Sequence, residues 1–76
     1  MLSPDQRRAL ELLDRAGPRG CTEAVITSQG FKIGVLIDLI RAGHASAGRD
    51  FVRAGDRMIE VTRVRITDAG RRALTA

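Results

Sequence analysis

One stretch near the end of this 76-residue chain decides the fold: Val64-Arg65-Ile66-Thr67-Asp68-Ala69-Gly70-Arg71-Arg72-Ala73-Leu74. Its beginning favours a β-strand, because Val64 and Ile66 are β-branched residues in alternating positions. Thr67 follows, and its hydroxyl can cap the N-terminus of a helix. We therefore predict a strand that ends at residue 66 and a short helix from residue 68 to about residue 74.

The segment before this strand predicts its antiparallel partner. Phe51 and Val52 are β-formers within a first strand at residues 49–53, and the second strand begins at residue 58. The tripeptide Ala54-Gly55-Asp56 between the two strands is typical of a turn. The two strands together form a β-hairpin.

Three helices are expected before the hairpin, and the first is the best marked. Ser3 can cap it, Pro4 suits the first helical position, and Gln6 stands three residues after the cap. An apolar stripe at helical spacing follows, and Gly17-Pro18 ends the helix. We predict this helix at residues 4–16.

The second and third helices are shorter. The second follows a cap at Thr22 and closes at Gly30, and Gly20-Cys21 before it can add one short strand contact. The third begins at residue 31 or 32 and ends at residue 42, with Gly43 as a left-handed cap. The order of helix, helix, helix, hairpin and helix predicts a single α+β domain over residues 1–76.

Positive charge is concentrated in the last third of the chain. Residues 49–76 contain seven arginines and four acids, whereas residues 1–30 contain four arginines and four acids. The whole chain has a formal net charge of +4. Such asymmetry favours a polyanionic partner. Many small soluble domains are also mildly basic, so charge alone leaves both interpretations open.

Several classes of function lack a signature in the sequence. One cysteine, Cys21, and one histidine, His44, cannot supply a structural zinc site or a disulfide. No carboxylate pair or glycine-rich phosphate loop is visible, so we expect a non-enzymatic protein with no cofactor and no metal. Two phenylalanines are too few for a single-strand stacking platform. The lack of a signal segment or long apolar run leads us to expect a cytoplasmic protein without membrane contact.

The order of elements, together with two stretches of the sequence, resembles the winged helix-turn-helix family. One match is Leu36-Ile37-Asp38-Leu39-Ile40-Arg41-Ala42-Gly43-His44-Ala45, similar to the end of the family's third helix. The other is the Ile66 to Leu74 segment, similar to the Ile-Thr-x-x-Gly-x-x-x-Leu stretch by which bacterial members leave the second wing strand. The resemblance covers nearly the whole chain. It implies a three-helix core, a small antiparallel β-hairpin wing and a short C-terminal helix.

The resemblance also implies binding to double-stranded DNA, with the third helix in the major groove and the wing on the backbone or minor groove. Arginine suits both sites, because its fork pairs with phosphate oxygens and with guanine edges. A small transcriptional regulator or accessory factor is the function expected. The predicted DNA contacts are Lys32, Asp38 and Arg41 on the third helix and Arg49, Arg53 and Arg57 on the wing.

The third helix departs from the family in one respect. Its apolar residues span an arc of roughly 200° on a helical wheel, which is wide for a helix that reads DNA. Ile33, Val35 and Ile37 would then form an exposed apolar patch unless the hairpin covers them. The alternative function is therefore a winged-helix protein-interaction module that binds a protein partner or a second copy of itself through this helix.

Overall fold

The computed structural model describes all 76 residues and has an α+β architecture, as predicted. The four helices and three strands follow one another as α1 (Pro4–Arg15), β1 (Cys21–Thr22), α2 (Glu23–Ser28), α3 (Ile33–Arg41), β2 (Ala45–Ala54), β3 (Arg57–Ile66) and α4 (Asp68–Thr75). The predicted helices are all present, with ends that differ by one or two residues.

The helix boundaries follow from side-chain caps. Ser3 forms a reciprocal capping box with Gln6 at the start of α1, and the hydroxyl of Thr22 accepts a hydrogen bond from an N–H of α2. The hydroxyl of Thr67 does the same for α4. Only α3 lacks a side-chain cap, because its N-cap residue is Lys32, which has no acceptor atom.

The three strands form one antiparallel sheet in the order β1-β3-β2. β1 is two residues long and pairs with β3 only at Val64 and Arg63. The predicted contact near Gly20-Cys21 therefore exists, displaced by one residue to Cys21–Thr22. β2 lies at the sheet edge, and beyond β1 the hairpin is a two-stranded ribbon.

The hairpin is longer than predicted, so the expected start of β2 at residue 49 was wrong. The strand begins at Ala45, and its first four residues pair with residues 63–66 of β3. Those four residues, Ala-Ser-Ala-Gly, have low β-propensity, and only pairing with β3 makes them a strand. The connection is a two-residue turn in which Gly55 alone has a positive φ, +64°, the pattern of a type II′ turn.

The buried apolar core lies between the helices and the base of the hairpin. Its nine residues are Ala9, Leu10, Leu13, Ile26, Leu36, Leu39, Ala45, Val64 and Ile66. None of them lies between Ala45 and Val64, so most of the hairpin extends beyond the core. The molecule is elongated as a result, with extents of 44 × 22 × 20 Å.

The stretch from Val64 to Leu74 fastens α4 to the junction between α3 and β2. The backbone N–H of Thr67 donates to the carbonyl of His44 at 3.1 Å, and the Thr67 hydroxyl donates to the carbonyl of Gly43 at 2.6 Å. Gly70 is buried against the His44 carbonyl, where a side chain would collide with it. Leu74 then packs against the core. Thr67, Gly70 and Leu74 therefore each have a structural role in this stretch.

Candidate nucleic-acid interface

The exposed flank of α3 is a row of isoleucines. Ile33, Ile37 and Ile40 are 47%, 42% and 37% exposed, while Leu36 and Leu39 of the same helix are buried. Spacings of four and three residues place the isoleucines along one side of the helix. We call these three residues the isoleucine stripe.

Val35 does not belong to this surface, which corrects the predicted patch of Ile33, Val35 and Ile37. Val35 is half-buried, packs against the core, and lines a groove between α1 and α3. It lies about 200° around the helix from Ile37. The two residues therefore face opposite flanks, and α1 partly covers one of them.

Asp38 also lies on the α1 side of α3. It lines a groove together with Leu2, Gln6 and Ala73, which come from the two ends of the chain. Its carboxylate forms no ion pair with Arg41. Asp38 is thus separated from the isoleucine stripe, on the flank that faces the start of α1.

The two predicted cations of α3 stand at its ends. Lys32 precedes the first turn, Arg41 is the last residue, and both are exposed with no carboxylate within ion-pair distance. The backbone N–H groups of Ile33 and Gly34 have no acceptor within the molecule. Positive charge and free donors therefore stand at the start of the helix, where Lys32 also lines the groove of Val35, and a second positive charge stands at its end.

The predicted hairpin arginines differ in their surroundings. Arg53 and Arg57 are exposed beside the turn and pair with no acid. Arg53 opposes Met58 and Arg57 opposes Ala54, so the two side chains leave opposite faces of the ribbon. Together they make the tip positive on both faces.

Arg49 lies on the same ribbon face as Arg53 but has an acidic neighbour. Its Nη1 is 3.7 Å from Oε1 of Glu60, and the two side chains are 79% and 51% exposed. An exposed pair at this distance contributes about 0–1 kcal/mol, so a competing anion can displace Glu60 at little cost.

The sequence reasoning missed one charged pair. It lies on the outer face of the hairpin, opposite to the face that carries the core residues Ala45, Val64 and Ile66. Nε of Arg63 donates to Oδ2 of Asp50 at 2.7 Å, and the Arg63 side chain is only 13% exposed. The turn at Gly55-Asp56 was the signal that could have found it, because a two-residue turn fixes the register. Arg63 thus has a structural partner and is not a free cation.

The Asp50 carboxylate is held in its charged form by its neighbours. The backbone N–H of Phe51 donates to Oδ1 at 2.8 Å. This hydrogen bond, and then the one from Arg63, keep the pKa of Asp50 below its ordinary value, although loss of hydration acts in the opposite direction. The charges of Arg63 and, less strongly, Arg19 also lower this pKa.

Comparisons with known proteins identify no relative of this chain. The chain matches no protein-family model, and no curated protein or solved structure is significantly similar to it. None of its helices has both the length and the apolar character needed to cross a membrane. What this surface does has to be inferred from its own side chains.

Proposed function

We propose that this chain is a winged-helix DNA-binding protein, a small transcriptional regulator or accessory factor. In this proposal α3 enters the major groove and the hairpin is the wing that contacts the backbone or minor groove. The observation that carries it is the extended hairpin, which packs beside α3 and has Arg53 and Arg57 unpaired at its tip.

Most of the predicted contacts carry a positive charge that no acid within the molecule neutralises. Arg63 is held by Asp50, and Arg71 lies 3.1 Å from Asp68 and 3.5 Å from Asp14. Four of the predicted contacts are free of acids instead: Lys32, Arg41, Arg53 and Arg57. Free cations release counterions from DNA without first breaking an internal ion pair.

The two remaining predicted contacts have smaller roles in the proposal. Arg49 adds to the wing once a phosphate replaces Glu60. Asp38 is left out of the contact set, because a carboxylate repels phosphate and this one lines the groove near Leu2 and Gln6. Lys32 and Arg41 remain as the cations that position α3.

Reversing the charge at the hairpin tip tests the proposal. For the double variant Arg53→Glu, Arg57→Glu we expect binding to a mixed-sequence duplex to weaken about 10- to 100-fold, because two phosphate contacts become repulsive. The log–log salt slope should also become shallower by about 2. Fluorescence anisotropy with a labelled duplex, titrated at several salt concentrations, measures both quantities.

A matched control separates local contact from overall charge. Arg72→Glu and Arg15→Glu together change the net charge by the same amount at two exposed helix positions without an ion pair. This variant should retain most of the affinity. Equal losses in the two double variants would mean that the hairpin tip makes no specific contribution to binding.

A protein-interaction module is the second candidate, and the isoleucine stripe is the observation that favours it. Exposed apolar side chains in one row on a helix suit a protein partner or a second copy of the chain. A concentration-dependent dimer that Ile37→Glu converts into a folded monomer would support this function. Light scattering over a range of protein concentrations measures the change.

A further inference from the structure

The exposed flank of α3 lacks the side chains that normally read bases by hydrogen bonding. The whole helix, Ile33-Gly34-Val35-Leu36-Ile37-Asp38-Leu39-Ile40-Arg41, contains no Ser, Thr, Asn or Gln. Asp38 lies on the α1 side, which leaves Arg41 as the one polar side chain close to the isoleucine stripe. Any discrimination by this flank must therefore be mainly apolar.

The stripe is too small to be a stable protein interface by itself. Stable complexes bury about 800 Å² and about 20–30 residues on each partner. The stripe offers three side chains, each exposed by less than half. The other exposed large apolar residues are Met1, Val25 on α2, Phe51 and Met58 on one face of the hairpin, and Ile59 on its other face.

The charges around the stripe suit a polyanion. Arg41 follows the stripe, and Lys32 precedes it at the edge of the groove between α1 and α3. The one acid of α3, Asp38, is exposed and lines the other groove, near the start of α1. A surface with an apolar centre and cations at both ends fits the DNA major groove, whose walls are phosphate. Within that groove the single large apolar group is the C5-methyl of thymine.

We propose that the isoleucine stripe recognises thymine methyl groups, so that the protein prefers a short A·T run in the major groove. This inference rests on the proposed function. Along the helix axis Ile33 and Ile37 are about 6 Å apart, and Ile37 and Ile40 are about 4.5 Å apart. Base pairs are stacked about 3.4 Å apart. Successive isoleucines are therefore spaced by one to two base pairs and can meet methyl groups on neighbouring pairs.

Deoxyuridine provides the test, because it lacks only the C5-methyl and keeps thymine's hydrogen-bonding groups. We compare the dissociation constants for a short duplex of A·T pairs and for the same duplex with deoxyuridine in place of every thymidine. Loss of one buried methyl weakens binding about fourfold, so one or two contacts predict a loss of about 4- to 15-fold. Both duplexes are titrated by anisotropy at the same low salt concentration.

Two variants assign the effect to the stripe. Ile37→Ala should reduce the ratio of the two dissociation constants towards one, because it removes the central apolar contact. Ile59→Ala truncates an isoleucine of similar exposure on the outer face of the hairpin and should leave the ratio unchanged. Circular dichroism confirms that both variants are folded, as expected for side chains outside the core.

The outcomes separate this inference from the function on which it rests. Equal, salt-dependent binding to both duplexes overturns methyl recognition and leaves DNA binding in place. Absence of binding to either duplex overturns both. A dimer that dissociates in Ile37→Ala, with an unchanged duplex ratio, overturns methyl recognition in favour of a protein interface.

Discussion

Asp50 makes two contacts that bear on the structure of the hairpin. It lies on β2, the edge strand, and its carboxylate accepts the backbone N–H of Phe51 as well as the Arg63 side chain. An edge strand with free N–H groups can pair with another chain, and a charged side chain that occupies one of them opposes such pairing. One carboxylate thus blocks the edge and joins the two strands.

The lowered pKa of Asp50 predicts a pH dependence of stability. A carboxyl whose pKa is lower in the folded than in the unfolded state adds stability above its unfolded pKa, and loses it as the pH falls through the folded pKa. The variant Asp50→Asn should therefore be less stable than the wild type at neutral pH, and the difference should shrink in acid. Urea denaturation at pH values on both sides of the ordinary carboxyl pKa measures this difference.

One outcome of this Asp50→Asn measurement would contradict the prediction. A stability difference that stays constant over the whole pH range would mean that the charge of Asp50 makes no contribution. Asp56 is a matched control, because it is an exposed acid of the same hairpin without an ion pair. Its Asn variant should show no such pH dependence.

Two arginines of β3 show what could not be predicted from the sequence. Arg63 and Arg65 alternate in the same way and were indistinguishable in the sequence, yet Arg63 is held by Asp50 whereas Arg65 is exposed. The difference arises from which side chain lies diagonally across the hairpin. That relation depends on the register, and the predicted turn, Ala54-Gly55-Asp56, was one residue longer than the two-residue turn that sets it.

At the scale of the elements, two helical glycines have opposite roles. Gly70 of α4 is buried against the His44 carbonyl, which leaves no room for a methyl group. Gly34 of α3 is exposed and has open space where a side chain would begin. The same residue type is therefore required in one helix and dispensable in the other.

Substitution of these two glycines by alanine should change stability in opposite directions. Gly70→Ala should destabilise the fold by about 1–3 kcal/mol or more, because α4 must move away from the α3–β2 junction. Gly34→Ala should stabilise it by about 0.5–1 kcal/mol, because alanine favours the helix. Urea denaturation of the two variants gives both values. A neutral Gly70→Ala would contradict the close packing of α4.

The elements that could be predicted are those with a local cause. The helices begin at residues whose side chains cap them, such as Ser3, Thr22 and Thr67, and β3 is rich in β-branched residues. The first half of β2 could not be predicted, because Ala45-Ser46-Ala47-Gly48 has no strand signal of its own. It is a strand only because β3 lies beside it.

At the scale of the whole molecule, the α+β class could be predicted from the order of the elements. Which side chains are exposed on the surface depends on how the elements pack against one another. The hairpin arginines were identifiable because they flank a recognisable turn. The surroundings of Val35, in the groove between α1 and α3, and of Asp38, in the groove near the start of α1, could not be predicted because the sequence does not specify which side of α3 faces α1. A helical wheel gives angles between residues, but only tertiary contacts decide which angle is exposed.

The central claim is that α3 and the hairpin together bind the phosphate backbone of duplex DNA. The most direct test is the affinity of the wild-type protein for a mixed-sequence duplex, measured by fluorescence anisotropy across a salt series. Four unpaired cations, Lys32, Arg41, Arg53 and Arg57, predict a log–log slope of about −3.6. Absence of binding at low salt and micromolar protein would contradict the claim.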